Sequence, residues 1–140
     1  MEVKRQDDTR NRPEGERTLN APFVPIDLPQ FIEQIRNEKN WKERDHTAIT
    51  VFKNRLLTVV LVAMHPGAEI HTQRPEHLWN VQVLEGSVRL AVNGDEVRLL
   101  NGGMAVVNAG IKYSLQATEE SLLLLTVAGE EAEGDNPNEA

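Results

Sequence analysis

Two stretches in the middle of the chain decide its fold: PGAEIHTQRPEHLWNVQVLEG at residues 66–86 and NGGMAVVNAGIKY at residues 101–113. In both stretches, glycines interrupt short runs that are rich in valine, leucine and isoleucine. Glycine accepts the positive φ angles and the close backbone approaches that tight corners between strands require. The pattern therefore predicts short strands joined by tight turns, as in a β-sandwich or a closed barrel.

Strand-like runs continue on both sides of these stretches. Apolar and other residues alternate from Ser87 to Val92, as expected for one buried and one solvated face, and Asn93-Gly94-Asp95 is a hairpin turn signal. The runs at 56–64 and 122–127 are apolar on both faces, which predicts cover by a helix or by a second subunit. The predicted strands are 48–53, 56–64, 78–84, 87–92, 96–100, 105–107, 113–117 and 121–127.

One helix is predicted ahead of the strands, from residue 28 to about residue 40. Asp27 is its expected cap, and Gln30 follows three residues later as in a capping box. We expect the helix to pack on the outer face or the mouth of the barrel, and Trp41 to belong to that contact rather than to a ligand site. Its apolar stripe consists of Leu28, Phe31, Ile32 and Ile35.

The length of 140 residues fits one domain with one hydrophobic core. Residues 1–20 and 130–140 are mostly charged or polar, so we expect a disordered N-terminal arm and an acidic disordered tail. Residues 21–129 are the predicted folded domain, with the barrel at about 46–128. A second catalytic domain is not expected.

Charge and composition exclude several classes of partner. The net charge of −7 argues against nucleic acid and anionic membranes, since phosphate binding depends on lysine and arginine. Cysteine is absent, which removes disulfides, thiol nucleophiles and thiolate metal sites. The first residues contain no apolar segment typical of a secretory signal or membrane anchor. We expect a cytoplasmic protein with small-molecule or protein partners.

Residues 66–127 resemble the conserved barrel of the small single-domain cupins of the RmlC-like superfamily. Cupins carry a first motif with His-x-His, a Glu and a Gly seven residues after it, and a second motif that ends Pro-x-Gly-x-x-His. Residues 83–86 are similar to the end of the first motif, and residues 99–113 to the second, with Gly110 in place and Asn108 where Pro is usual. The resemblance implies an all-β fold, a double-stranded β-helix (the cupin or jelly-roll barrel), with one N-terminal α-helix in this chain.

The metal positions that the resemblance implies hold other residues. Trp79 occupies the position of the Glu, and Tyr113 that of the second-motif His. The His-x-His pair falls on Gln73 and Pro75, or one residue earlier if the spacer is longer. Iron, manganese and zinc need imidazole and carboxylate donors, which these residues do not supply. No cofactor is therefore predicted.

The first functional hypothesis is metal-independent binding of a small molecule, or a regulatory role, in the barrel pocket. Trp79 offers a surface for stacking and Tyr113 one hydrogen-bonding hydroxyl, and an apolar cavity with few polar groups is the usual composition of such a site. The candidate pocket residues are Gln73, His77, Trp79, Val81, Gln82, Val83, Met104, Val106 and Tyr113.

Two other hypotheses stay open. In one, the displaced histidines His65, His71 and His77 bind a divalent metal (Fe, Mn, Zn or Ni), and the protein is a dioxygenase or an isomerase. For a reaction without a metal, His77 with Tyr113 is the only acid–base pair that the sequence offers. In the other, side chains fill the barrel and the protein is a dimeric scaffold. The doubly apolar strands lead us to expect a homodimer in each case.

Overall fold

The computed structural model describes residues 21–72 and 76–129. The predicted arm at 1–20 and tail at 130–140 lie outside the described residues. Within them, two helices and nine strands follow one another in this order: α1 Leu28–Arg36, α2 Lys39–Glu43, β1 His46–Lys53, β2 Leu57–Met64, β3 Glu69–Thr72, β4 Trp79–Glu85, β5 Ser87–Val92, β6 Asp95–Leu100, β7 Met104–Val107, β8 Tyr113–Ala117 and β9 Ser121–Ala128.

The strands form two antiparallel sheets that enclose the core. Sheet A has the order β1-β2-β9-β4-β7, and sheet B has the order β3-β8-β5-β6. Strands that are distant in the chain are neighbours in each sheet, as in a jelly roll. The predicted all-β class is confirmed.

Strand β3 is the one element that the strand pattern did not predict. It covers only Glu69–Thr72, and its residues pair with β8 from Tyr113 to Gln116. A four-residue strand with polar residues at three positions has too little alternation to be recognised in the sequence.

The predicted N-terminal helix is capped as expected but is broken into two. The Asp27 side chain accepts a hydrogen bond from the Gln30 backbone N–H at 3.2 Å, which confirms the cap. Helix α1 ends at Arg36 instead of continuing to residue 40, because Glu38 adopts an extended conformation (φ −78°, ψ 148°) before α2 begins. The break brings Trp41 onto the outer side of sheet A, where it is buried.

Sheet A lies between two hydrophobic clusters, which explains why β2 and β9 are apolar on both faces. Alternate residues of these strands enter an inner cluster between the sheets or an outer cluster beneath α1 and α2. The helix therefore covers the doubly apolar strands. The buried inner residues include Val62, Met64, Trp79, Val81, Val83, Val88, Leu90, Leu115 and Leu123. The buried outer residues are Ile35, Trp41, Leu61, Ala63 and Leu122.

A small polar network seals one end of the barrel, where β4 turns into β5. The Ser87 N–H donates to Ser121 Oγ at 3.0 Å, and the Thr118 hydroxyl donates to Ser87 Oγ at 2.8 Å. Gly86 forms the corner with φ +105°. These contacts leave the opposite end, where β4 and β8 begin, as the open end of the barrel.

The Asn93-Gly94 hairpin is confirmed. Val92 pairs with Asp95, which leaves a two-residue loop in which Asn93 has φ 52° and Gly94 has φ 83°. Positive φ at both positions is the requirement of a type I′ turn. The turn places the tip of the β5–β6 hairpin at the open end.

No helix among residues 21–72 and 76–129 has the length and apolar character needed to span a bilayer.

Candidate ligand site at the open end of the barrel

An aromatic pair lies inside the open end. Trp79, the first residue of β4, is 4% exposed, and its ring centroid lies 4.2 Å from that of Tyr113, the first residue of β8. The ring planes meet at 41°. Trp79 belongs to the inner cluster and Tyr113 packs against it, so both rings face the interior of the barrel.

Each ring brings one polar group into this apolar surrounding. The Trp79 Nε1–H has no hydrogen-bond partner within the part of the chain that the structure describes. Burial raises the pKa of the Tyr113 phenol above its ordinary value of 10.0. The phenol is therefore neutral at physiological pH, and it can both donate and accept a hydrogen bond.

Two further predicted residues face the interior. Val81 and Val83 follow Trp79 at alternate positions of β4, and both are completely buried. Their side chains fill the barrel beyond the aromatic pair, towards the sealed end.

Met104 and Val106 do not point into the barrel interior as predicted, although Val106 lines the cavity between β6 and β7 that is described below. They are 55% and 63% exposed, and the inward residues of β7 are Ala105 and Val107. The register explains this, since inward-facing Trp79 pairs with Val107. All four residues of β7 (MAVV) are apolar, so the sequence does not show which of them face inward.

The same register corrects the placement of Gln82. It pairs with Met104, on the outer face of sheet A, so it does not face the predicted pocket. Gln73 lies outside the described residues, and its assignment to the pocket stays a prediction.

His77 lies at the rim of the open end. Trp79 pairs with Val127 of β9. His77, two residues before Trp79, lies against Gly129, two residues after Val127. A Cβ atom placed on Gly129 would lie 2.6 Å from His77 Nδ1, so the histidine ring occupies the space that a side chain there would need. His77 is not among the residues that line the cavity between β6 and β7, so its predicted pocket role stays a prediction.

The other two displaced histidines lie elsewhere. The His65 ring stacks on Trp41 with 3.6 Å between centroids and an interplanar angle of 11°, and its Nε2 is 2.7 Å from the Trp41 carbonyl oxygen. This places His65 against the outer cluster. His71 is exposed and pairs with Ser114 on sheet B. The structure thus keeps His65, His71 and His77 at three separate locations.

The described residues do not fit a cupin metal site. The two motif positions that they include hold the inward-facing rings of Trp79 and Tyr113, which are in contact with each other. Among residues 21–72 and 76–129, no group of three or more histidine, aspartate or glutamate side chains could hold a metal ion. An imidazole and carboxylate shell cannot be assembled from the residues in these positions.

A cavity of about 390 Å³ opens beside the aromatic pair, between the edge strands β6 and β7. Trp79 pairs with Val107 and Tyr113 pairs with Val92, and both valines line the cavity. The two rings thus lie next to residues of the cavity wall, but neither Trp79 nor Tyr113 is itself among the residues that line the cavity. Apolar lining comes from Leu90, Val92, Val97, Ala105, Val106, Val107 and Ile111, and polar lining from Asn93, Asp95, Glu96 and Asn108.

Most of the residues that line the cavity were not predicted from the sequence. The alternation of Val88, Leu90 and Val92 did mark the inner face of β5, and it could have pointed to the cavity. The carboxylate of Asp95 could not be placed, because only the two-residue turn sets it opposite Val92 on that same side of sheet B. A second depression of about 490 Å³ lies on α1, but its lining comes from that one helix and the residue after it.

The comparisons with known proteins identify the fold. No protein-family model matches the sequence, and no curated protein matches it. The structure is similar to that of a conserved protein of unknown function from Streptococcus pyogenes, with 26% identity, a TM-score of 0.59 and coverage of 64% of this chain and 79% of that one.

Two further structures are also similar to that of this chain. One is salicylate 1,2-dioxygenase from Pseudoaminobacter salicylatoxidans, with 23% identity, a TM-score of 0.63 and coverage of 71% of this chain; the match spans only 31% of the dioxygenase. The other is an RmlC-like cupin from Shewanella frigidimarina, with 20% identity, a TM-score of 0.57 and coverage of 60% of this chain and 76% of that one. Together with the jelly-roll topology, these similarities show that the chain is a small protein of the RmlC-like cupin fold.

Proposed function

We propose that this protein binds a small, mainly apolar molecule at the open end of its barrel, and that binding requires no metal. The cavity between β6 and β7 is the observation that carries the proposal. Its volume of about 390 Å³ lies within the range of small-molecule sites. Its walls are mostly aliphatic with a few polar side chains, which is the composition expected of such sites.

The aromatic pair supports a binding role without a metal. Trp79 and Tyr113 stand where the cupin motifs have metal ligands, and their strand partners Val107 and Val92 line the cavity. The aliphatic walls favour apolar molecules through dispersion contacts. The site is built to hold a ligand by shape rather than by coordination.

A test of this function is to fill the cavity. Ala105 is an inward residue of β7 that lines it, so Ala105→Phe should abolish the binding of small neutral aromatic compounds, measured by ligand-observed NMR in the presence of a chelator. Ala48→Phe, at an exposed position of β1, is the matched control and should bind as the wild type does. Binding that survives Ala105→Phe in a folded protein would place the ligand elsewhere and refute the proposal.

One observation supports an enzyme as the second candidate, namely the fold shared with a salicylate 1,2-dioxygenase. Elemental analysis of protein purified without a tag or chelator separates the two. Our proposal expects negligible metal in the wild type and in His77→Ala. Near-stoichiometric metal that is lost in His77→Ala would establish the metal-dependent alternative.

The scaffold alternative rests on the filled part of the barrel, where Val81 and Val83 leave no space. We propose, in addition, that the protein forms a homodimer through the outer face of β7, since Met104 projects from this edge strand as an exposed apolar side chain. Met104→Glu should convert the dimer to a monomer in analytical ultracentrifugation. A wild-type monomer would refute the dimer, and a dimer that binds none of the aromatic compounds would favour the scaffold.

A further inference from the structure

The cavity between β6 and β7 has an apolar floor and a polar rim. Its floor includes Leu90 and Val107, which are buried and belong to the inner cluster. The four polar residues of the lining are all exposed and form the rim: Asn93, Asp95, Glu96 and Asn108. They come from the β5–β6 hairpin and from the residue that follows β7. A ligand that fills the cavity therefore has its apolar part on the floor and its other end among these polar groups.

The rim offers hydrogen-bond acceptors and negative charge. Asp95 and Glu96 carry carboxylates, which accept hydrogen bonds only, and each of the two asparagines adds an amide oxygen. No lysine or arginine lines the cavity among residues 21–72 and 76–129. An anionic group at this rim would meet like charge without a compensating cation, in a protein whose net charge is −7. A cationic group would instead be attracted to the carboxylates.

Of the two carboxylates, that of Asp95 is available to a ligand. Glu96 pairs with Ala91 on the outer face of sheet B, and its Oε2 lies 3.5 Å from Arg89 Nε. Asp95 pairs with Val92, whose side chain packs against the inner cluster, so Asp95 lies on the inner side of the same sheet. Within the part of the chain that the structure describes, Asp95 takes part in no ion pair.

We propose that the ligand of this site is a primary amine with an apolar body, and that its ammonium group pairs with the Asp95 carboxylate. The inference rests on the proposed binding function and specifies its ligand class. An ammonium group carries three N–H donors, which suit a rim made of carboxylate and amide oxygens. The cavity of about 390 Å³ exceeds the volume of about 150 Å³ that suffices to hold benzene, so a one-ring amine fits.

Three one-ring probes that differ mainly in charge test the inference. Benzylamine is a cation at neutral pH, benzyl alcohol is its neutral counterpart of nearly equal shape, and benzoate is an anion. In ligand-observed NMR at low ionic strength, we expect benzylamine to bind roughly twofold to fivefold more tightly than benzyl alcohol, as one exposed ion pair implies. Benzoate should bind more weakly than both. In ¹⁵N-labelled protein, benzylamine should shift the backbone amide signals of Gly94 and Asp95.

Two variants that each remove one negative charge serve as a matched pair. In Asp95→Asn, checked for folding by circular dichroism, benzylamine and benzyl alcohol should bind with equal affinity. Glu119→Gln changes an exposed residue between β8 and β9, at the sealed end, and should keep the preference for benzylamine. Equal affinities in the wild type, or a preference that survives Asp95→Asn, would overturn the amine inference and leave the binding function intact. A preference lost equally in Glu119→Gln would do the same, because it would then reflect net charge alone. Failure of all three probes to bind would overturn the proposed function and this inference together.

Discussion

Replacing Gly86 with alanine should destabilise the protein far more than the same change at another glycine of positive φ. Gly86 forms the corner between β4 and β5 with φ +105°, a conformation that costs an L-residue about 1–3 kcal/mol. A Cβ atom there would lie 2.5 Å from the Glu120 carbonyl oxygen and 2.7 Å from Ser121 Cα, and it would collide with Ser121 Oγ. Overpacking of this kind costs about a further 1–3 kcal/mol, because backbone atoms must move. The expected loss is therefore about 2–6 kcal/mol.

Gly94→Ala is the matched control. Gly94 has φ +83° in the hairpin turn, but a Cβ atom there would meet no atom within 4 Å. Only the backbone cost of about 1–3 kcal/mol should remain. Urea unfolding followed by circular dichroism gives both free energies of unfolding, and the slope with denaturant should stay unchanged. Equal losses in the two variants would refute the argument that the Ser87–Ser121 network encloses Gly86.

The remaining predictions concern ionisation, stacking and a surface ion pair. Burial raises the pKa of Tyr113 in the folded protein, so the unfolded chain loses its phenolic proton at a lower pH than the folded chain does. The free energy of unfolding should therefore be unaffected by this group below about pH 10 and should fall as the pH rises above it. The fall should be smaller in Tyr113→Phe. Tyr113 is the single tyrosine, so ultraviolet absorbance titration reports it directly, and a midpoint at or below 10.0 would contradict the burial. His65→Ala removes the stack on Trp41 and its hydrogen bond and should cost about 1–3 kcal/mol in urea unfolding, whereas exposed His71→Ala should change stability by no more than about 0.5 kcal/mol. Arg36 and Glu85 are 2.8 Å apart but exposed, so Glu85→Gln should cost less than about 1 kcal/mol at low salt, and a larger loss would show an additional role for Glu85.

The sequence allowed the fold and the orientation of the aromatic pair to be predicted because both depend on local signals. Positive-φ corners call for glycine or asparagine, as at Asn93, and alternation fixes which side of β5 is buried. Trp79 and Tyr113 were located by their distances from the glycines of the two motifs. Such signals involve only a few neighbouring residues, so they can be recognised without knowledge of the packing.

The misplaced residues depend instead on contacts between distant parts of the chain. The phase of β7 is set by its pairing with β4, since four consecutive apolar residues carry no alternation of their own. His65 contacts Trp41, which lies 24 positions earlier in the chain, and the break after Arg36 positions Trp41 for that contact. The cavity likewise lies between edge strands of two different sheets. None of these contacts has a local sequence signal.

Strand β9 is the last of the described strands along the chain, yet it lies in the middle of sheet A, between β2 and β4. The ribosome delivers the N-terminal part first, so the β1–β2 and β4–β7 pairs remain separate until β9 emerges. Until then, β2 and β4 present unpaired apolar edges of the kind that invite aggregation. The contact of Trp79 with Val127 also has to wait for β9. A nascent chain that ends before Ser121 therefore leaves Trp79 without its β9 neighbour, and its β2 and β4 edges stay unpaired.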